Sequence, residues 1–228
     1  MNQANQPVAI ITGASSGIGA ATARKLAQAG YRLTLAARRR ERLEQLQAEL
    51  AKDGADVLVA PTDVTQRDQV EAMAKQTVER FGQIDALINN AGVMPLSFIK
   101  NLHVDEWMQM IDVNLKGPLL AVAACLPTMI GQNRGHIVNV SSIAGRTQFP
   151  AGTVYCGTKH ALNAISDGLR NELTSAHNIK VTTIEPGAVT TELTQAITDP
   201  EVPGHLITEK LRPKQVTAPT IANGPMSE

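Results

Sequence analysis

Tyr155 and Lys159 stand four residues apart in the run YCGTK, a spacing that puts two side chains on one face of a helix, about one turn apart. A free tyrosine titrates at about 10. An ammonium beside it favours the phenolate, which would let Tyr155 give or take a proton near neutral pH. Alone, Y-x-x-x-K is a weak signal, because such pairs occur by chance. A second signal lies at residues 12–19, TGASSGIG. Gly13, Gly17 and Gly19, with Ser15, Ser16 and Ile18 among them, let the backbone turn tightly and approach a pyrophosphate, which then rests on the positive end of a following helix. The competing reading is a flexible Gly-Ser turn, but the apolar run before it and the helix formers after it agree with a phosphate site. The spacing is G-x-x-x-G-x-G rather than G-x-G-x-x-G. It lacks the G-K-[ST] ending of a P-loop, which speaks against nucleoside triphosphate hydrolysis.

Cofactor choice is read about 20 residues beyond the glycines, where a carboxylate that bonds the adenine ribose selects NAD. Residues 35–40 read LAARRR and hold no carboxylate. Arg38, with Arg39 beside it, can pair instead with a 2′-phosphate; the bland alternative is three arginines opening a solvated helix. NADP is therefore expected ahead of NAD.

The elements that must position these residues follow from periodicity. Short β-branched or apolar runs at 8–12, 33–36, 57–60, 84–88, 137–141 and 179–184 read as strands. Helical patterns fill 18–29 (closed by Gly30), 39–53 with Leu43, Leu46 and Leu50 on one face, and 66–81 with Val70, Met73, Thr77 and Val78 inward. One or two helices, interrupted near Gly117-Pro118, are expected over 104–130, and a long one over 153–176. Strands separated by helices run parallel, since each crossover returns the chain to the same edge. The expected fold is an α/β, Rossmann-type, doubly wound sheet of six parallel strands with helices on both faces, its ligand beyond the carboxyl ends of the strands.

Taken together, these signals resemble the short-chain dehydrogenase/reductase family over residues 7–195. The resemblance is carried by TGxxxGxG at 12–19, Asp63-Val64, NNAG at 89–92, Asn114, the Ser141-Ser142 pair, Tyr155 with Lys159, and Pro186-Gly187, all in the family's order. It implies that Asp63 bonds the adenine amino group beside the Val64 backbone, and that Asn90, Ala91 and Gly92 line the adenosine ribose. Val189 and Thr191 would touch the nicotinamide end. The implied catalytic residues are Asn114, Ser142, Tyr155 and Lys159; Lys159 would also bind the nicotinamide ribose, and Asn114 would hold a water relaying protons to Lys159. Ser142 rather than Ser141 is the implied partner, because the family places its serine thirteen residues before the tyrosine. The resemblance also implies a homodimer or homotetramer formed through the helices that hold Asn114 and Tyr155.

The remaining composition sets limits. The 228 residues are 43% hydrophobic and 18% charged, with 21 basic and 21 acidic side chains. That supports a sizeable core and argues against disorder and against a nucleic-acid partner. No run of about 18 consecutive apolar residues points to a membrane, and residues 1–7 carry no signal-peptide pattern, so a cytoplasmic protein is expected. Cys125 and Cys156 have no disulfide or metal spacing, His103, His136, His160, His177 and His205 share none, and no metal is expected. Both cysteines read as packing. Trp107 either anchors packing or faces substrate, and residues 94–97 either border substrate or pack as a loop.

Residues 1–195 thus read as a catalytic dinucleotide-binding domain and 196–228 as an irregular tail. Pro200, Pro203, Pro213, Pro219 and Pro225 punctuate that tail. They remove ladder donors, so no seventh strand is expected and 179–184 should lie at or near an exposed edge. The expected function is hydride transfer between NADP(H) and a small carbonyl or secondary alcohol: a ketone, hydroxy acid or similar. An epimerase or dehydratase would need a longer substrate domain. From a different class, a catalytically weak or inactive cofactor-binding protein of the same fold would explain the odd C-terminus, although Ser142, Tyr155 and Lys159 argue against it.

Overall fold

The computed structural model describes residues 6–202. At its centre is a strand whose apolar run is continuous, β1 (Val8–Thr12), with every residue buried. Both of its faces are covered. Ile11 packs with Leu33 and Leu35 against Ala23 and Leu26 of α1 (Gly17–Gln28) and Leu43, Leu46 and Leu50 of α2 (Arg40–Lys52). Ile10 faces the other way, against Val70, Met73 and Ala74 of α3 (Arg67–Phe81) and Ala121, Val122, Cys125 and Met129 of α5 (Gly117–Gln132). Strands buried on both faces read as unbroken apolar runs, which is why periodicity alone places them.

The sheet contains β2 (Arg32–Ala37), β3 (Val57–Pro61), β4 (Ala86–Asn89), β5 (Gly135–Val140) and β6 (Ile179–Ile184) besides β1. All pairings are parallel, in the order β3-β2-β1-β4-β5-β6. Among the described residues this is the expected six-stranded Rossmann-type fold, with β6 at an edge. The chain reverses its winding between β1 and β4, so the loops after these two strands part and leave a crevice. Of the expected tail, residues 203–228 lie outside the described residues.

Details depart from expectation where local pattern competes with pairing. β4 starts at Ala86; just before it, Ile84 N–H donates to the Gln132 side chain and Asp85 N–H to the Val8 carbonyl. β5 starts at Gly135, opposite Ile179, and ends at Val140. Val78 is half-buried, whereas Val70, Met73 and Thr77 are buried. The expected interruption at Gly117-Pro118 is instead a π turn, Asp112–Lys116, between α4 (Val104–Ile111) and α5. Pro118 sits in the first turn of α5, where its missing N–H costs little. Gly117 is needed there for another reason: a Cβ would lie 2.9 Å from Val64 Cγ2. Helix α6 (Thr153–His177) closes the far side beside β6.

Candidate active site

The glycine turn leaves β1 and is locked by the loop after β4. Thr12 Oγ1 accepts hydrogen bonds from the backbone N–H of Asn90 (3.0 Å) and of Ala91 (3.1 Å). The Asn90 carboxamide nitrogen donates to the carbonyls of Thr12 and Gly13 at 3.0 and 3.2 Å. Close approach forces glycine: a Cβ at Gly13 would stand 2.8 Å from Ala91 Cα, and one at Gly19 would stand 2.3 Å from the Gly13 carbonyl oxygen. Gly13 and Gly17 also have positive φ, 66° and 53°. At the start of α1, Ser16 occupies the cap position without a side-chain cap bond. Its hydroxyl and that of Ser15 accept instead from Arg39, at 2.7 and 2.9 Å. The first N–H groups of α1 therefore have no side-chain acceptor at the cap, the arrangement in which a helix start receives an anion.

Beyond this turn runs a cleft of about 850 Å³, lined at one end by Arg38, Arg39, Asp63 and Val64 and at the other by Ser142, Tyr155 and Lys159. Asp63 uses one carboxylate oxygen to accept from the Thr65 backbone (3.0 Å) and hydroxyl (2.8 Å). Arg38 is exposed and makes no ion pair with a described residue. Every expected cofactor-binding residue except Gly19 lines the cleft; Gly19 lies behind it, packed on Gly13.

Ser142 follows β5, and its hydroxyl accepts from Ala144 N at 3.1 Å. Tyr155 and Lys159, on the first turns of α6, are almost fully buried. Lys159 Nζ donates to the Val140 carbonyl at 2.9 Å and lies 5.7 Å from the centre of the Tyr155 ring. This corrects the expected direction of the tyrosine's titration. Burial pushes the Tyr155 phenol up to about 12, only partly opposed by the Ser142 hydroxyl. Burial also brings the Lys159 ammonium down to about 8. Desolvation of each group outweighs the attraction of spacing alone.

Asn114 lies buried in the π turn. Its Oδ1 accepts from Val93 N at 2.9 Å, and its Nδ2 donates to Val93 O and Thr158 Oγ1 at 3.0 and 3.2 Å. The side chain ties the NNAG loop to α6 and is fully engaged. Its backbone carbonyl, however, lacks the ordinary donor four residues on, since residue 118 is proline. Ser141 is structural, donating to the Lys159 carbonyl at 3.3 Å. Cys156 and Cys125 are buried, their thiols pushed up by that burial. Trp107 resolves to a packing anchor whose Nε1 donates to Ser97 Oγ at 3.0 Å, and Met94, Leu96 and Ser97 are buried loop residues.

Against known proteins, a sequence profile described as short chain dehydrogenase matches residues 7–202. The chain belongs to this family. Among relatives, this short-chain dehydrogenase is 49% identical over 203 residues to an uncharacterised oxidoreductase of Staphylococcus saprophyticus, covering 89% of this chain and 82% of that one. It is 47% identical to another from Listeria monocytogenes, covering 85% and 79%. Among solved structures it resembles an alcohol dehydrogenase of Thermococcus sibiricus complexed with 5-hydroxy-NADP, with TM-score 0.79, 34% identity and coverage of 87% and 83%. It also resembles a short chain dehydrogenase/reductase of Burkholderia phymatum in complex with NAD, with TM-score 0.86, 31% identity and coverage of 97% and 85%. The short-chain dehydrogenase is thus an oxidoreductase of a family that uses nicotinamide cofactors.

Sequence reading missed several site residues in this short-chain dehydrogenase. Thr12 was legible as part of the glycine motif but not as its hydrogen-bond hub. Arg42 and Glu192 meet at 2.5 Å from 150 residues apart, with no local signal. The segment after Pro186-Gly187 crosses the cleft and is anchored beyond it. There the buried Asp199 carboxylate accepts from Phe98 N and Asn101 Nδ2, both at 2.9 Å, and Thr198 bonds Glu106.

Proposed function

We propose that the protein is an NADP(H)-dependent oxidoreductase of the cytoplasm, a homodimer or homotetramer that interconverts a small carbonyl and its secondary alcohol. One observation carries this reading: a single cleft joins the glycine turn and its arginines to Ser142, Tyr155 and Lys159. The glycine turn fits a pyrophosphate, since Gly13 and Gly17 take positive φ and the close packing of Gly13 and Gly19 on the chain's own backbone leaves no room for a Cβ. Gly13, Ser15, Ser16, Gly17, Ile18 and Gly19 would form its cradle. Arg38 and Arg39 would hold the 2′-phosphate, Asp63 and Val64 the adenine, and Asn90, Ala91 and Gly92 the ribose. Val189 and Thr191 would border the nicotinamide. When bound, that cofactor supplies or accepts the hydride.

Ser142 would donate a hydrogen bond to the substrate carbonyl oxygen. Tyr155, protonated at neutral pH, would donate its phenolic proton to the same oxygen as charge develops there. The Lys159 ammonium, on the Val140 carbonyl, would hold the nicotinamide ribose and be available to bias the phenol. A proton-relaying water at Asn114 would rest on the backbone carbonyl, because the side chain is engaged. Solved relatives bind either cofactor, so the NADP preference rests on Arg38 and Arg39 in a connection without a carboxylate. Following NADPH and NADH absorbance with a panel of small ketones and keto acids tests the proposal. NADPH is expected to give a kcat/KM at least about tenfold higher, about 1.4 kcal/mol, and Arg38→Asp to reverse the order. Equal constants would overturn the preference, and no turnover with any carbonyl would favour a cofactor-binding protein without catalysis.

A further inference from the structure

One of the two arginines assigned above to a 2′-phosphate, Arg39, already carries an anion of the chain's own, shared with Arg42. Glu192 begins a short 3-10 turn, Glu192–Ala196. Its Oε2 accepts from Arg39 Nη1 at 2.8 Å, and its Oε1 accepts from Arg42 Nη1 at 2.5 Å. Arg39 is oriented from its other side by the Ser15 and Ser16 hydroxyls, so phosphate turn, arginines and carboxylate form one network. The guanidinium groups lower the Glu192 pKa to about 2, which keeps it ionised at any working pH. Exposed ion pairs are individually weak. Here one carboxylate is gripped by two guanidinium groups, one of them held in place by hydroxyls, a geometry that strengthens charge-assisted bonds. The same segment has a second attachment: Leu193 and Ile197 pack on the cluster that contains Met94, Met110 and Tyr155.

From this arrangement we infer that Glu192 is a specificity residue, an internal competitor that holds Arg39 and Arg42 until a 2′-phosphate replaces it and frees the segment over the reaction end. The inference rests on the NADP reading above. Carboxylate and phosphate offer a guanidinium the same fork of oxygens. A phosphomonoester carries close to two negative charges near neutral pH, so its entry beside Glu192 sets like charges on shared donors. Arg38, outside the network, remains available to the phosphate, and binding is weakened rather than abolished. Coupling is reciprocal: the factor by which the closed segment weakens phosphate binding is the factor by which phosphate loosens the segment. A nucleotide without the 2′-phosphate leaves the pairing intact.

Calorimetric binding of adenosine 2′,5′-bisphosphate and of 5′-AMP, to the wild type and to Glu192→Gln at low salt, tests this. The variant is expected to bind the bisphosphate about tenfold tighter, a typical coupling, with 5′-AMP changed less than about twofold. In the wild type, the bisphosphate but not 5′-AMP should speed amide hydrogen exchange in residues 190–197. A wild type that prefers the bisphosphate, with Glu192→Gln no tighter, overturns the competition and leaves the NADP reading standing. Equal tightening of both nucleotides also overturns it, as a general charge effect. So does exchange that responds alike to both. If wild type and Arg39→Ala bind the two nucleotides equally, the phosphate subsite fails and the competition fails with it.

Discussion

At the scale of single residues, the site is set by what burial does to two groups four residues apart. With its phenol pushed up to about 12, Tyr155 is a proton donor at neutral pH. Tyr155→Phe is expected to keep NADPH binding in a fluorescence titration and to lose about 10²–10⁴ in turnover; retention of a tenth of the activity would remove Tyr155 from the acid role. Lys159 titrates at about 8 against an ordinary 10.5, so below pH 8 the fold bears the full cost of burying its charge, on the order of 3 kcal/mol. That cost is relieved as pH rises from about 8 to 10.5, because over that window the unfolded chain binds the extra proton. Tyr155 acts in the opposite sense above pH 10, where its raised value makes stability fall. Thermal melts of the cofactor-free wild type and Lys159→Met should therefore show the wild type gaining on the variant between pH 8 and 10. A constant difference would contradict the buried charge. The spacing of the pair was legible in the chain, but the direction of the tyrosine's shift was not. It depends on desolvation by loops and strands that no four-residue spacing encodes.

At the scale of elements, the glycine turn and the NNAG loop act as one interlocked part. Gly19→Ala would drive a Cβ to 2.3 Å from a backbone oxygen that cannot swing away. A loss of about 1–3 kcal/mol is expected in denaturant unfolding, together with loss of nucleotide binding by calorimetry. Unchanged binding would show that the turn is not the cradle. The strands were legible because β1, β2 and β4 are buried on both faces and read as nearly unbroken apolar runs, and the helices because Leu43, Leu46 and Leu50 mark one side. The π turn at Asp112–Lys116 was not. Gly117 and Pro118 look like a break, yet Gly117 is there to clear Val64 and Pro118 occupies the first turn of α5. Nor was the anchorage of the segment after β6, where Asp199 bonds a loop about a hundred residues earlier in the chain.

At the scale of the molecule, the stretch Val104–Gln132 is long and apolar enough by composition to cross a membrane, yet Ala121, Val122, Cys125 and Met129 are packed on the sheet. What it leaves outside includes the apolar side chains of Val104, Ile111, Leu119 and Ile130, all exposed. An apolar surface of this kind is where a second copy is expected to pack. Light scattering at micromolar concentration should give a dimer or tetramer, and Leu119→Glu should shift it toward monomer; a wild-type monomer would overturn the proposed assembly. The strand order has a consequence for how the chain is made. β1 is translated first but sits mid-sheet, and its neighbour β4 ends only at Asn89. During synthesis, β2 and β3 can join it on one side while the other edge stays open, carrying the wholly apolar run Val8–Ile11. The same residues that later lock the phosphate turn, Asn90 and Ala91 on Thr12, are thus the first to emerge after that edge is covered. On the ribosome, completing the sheet's centre and completing the nucleotide cradle are one event.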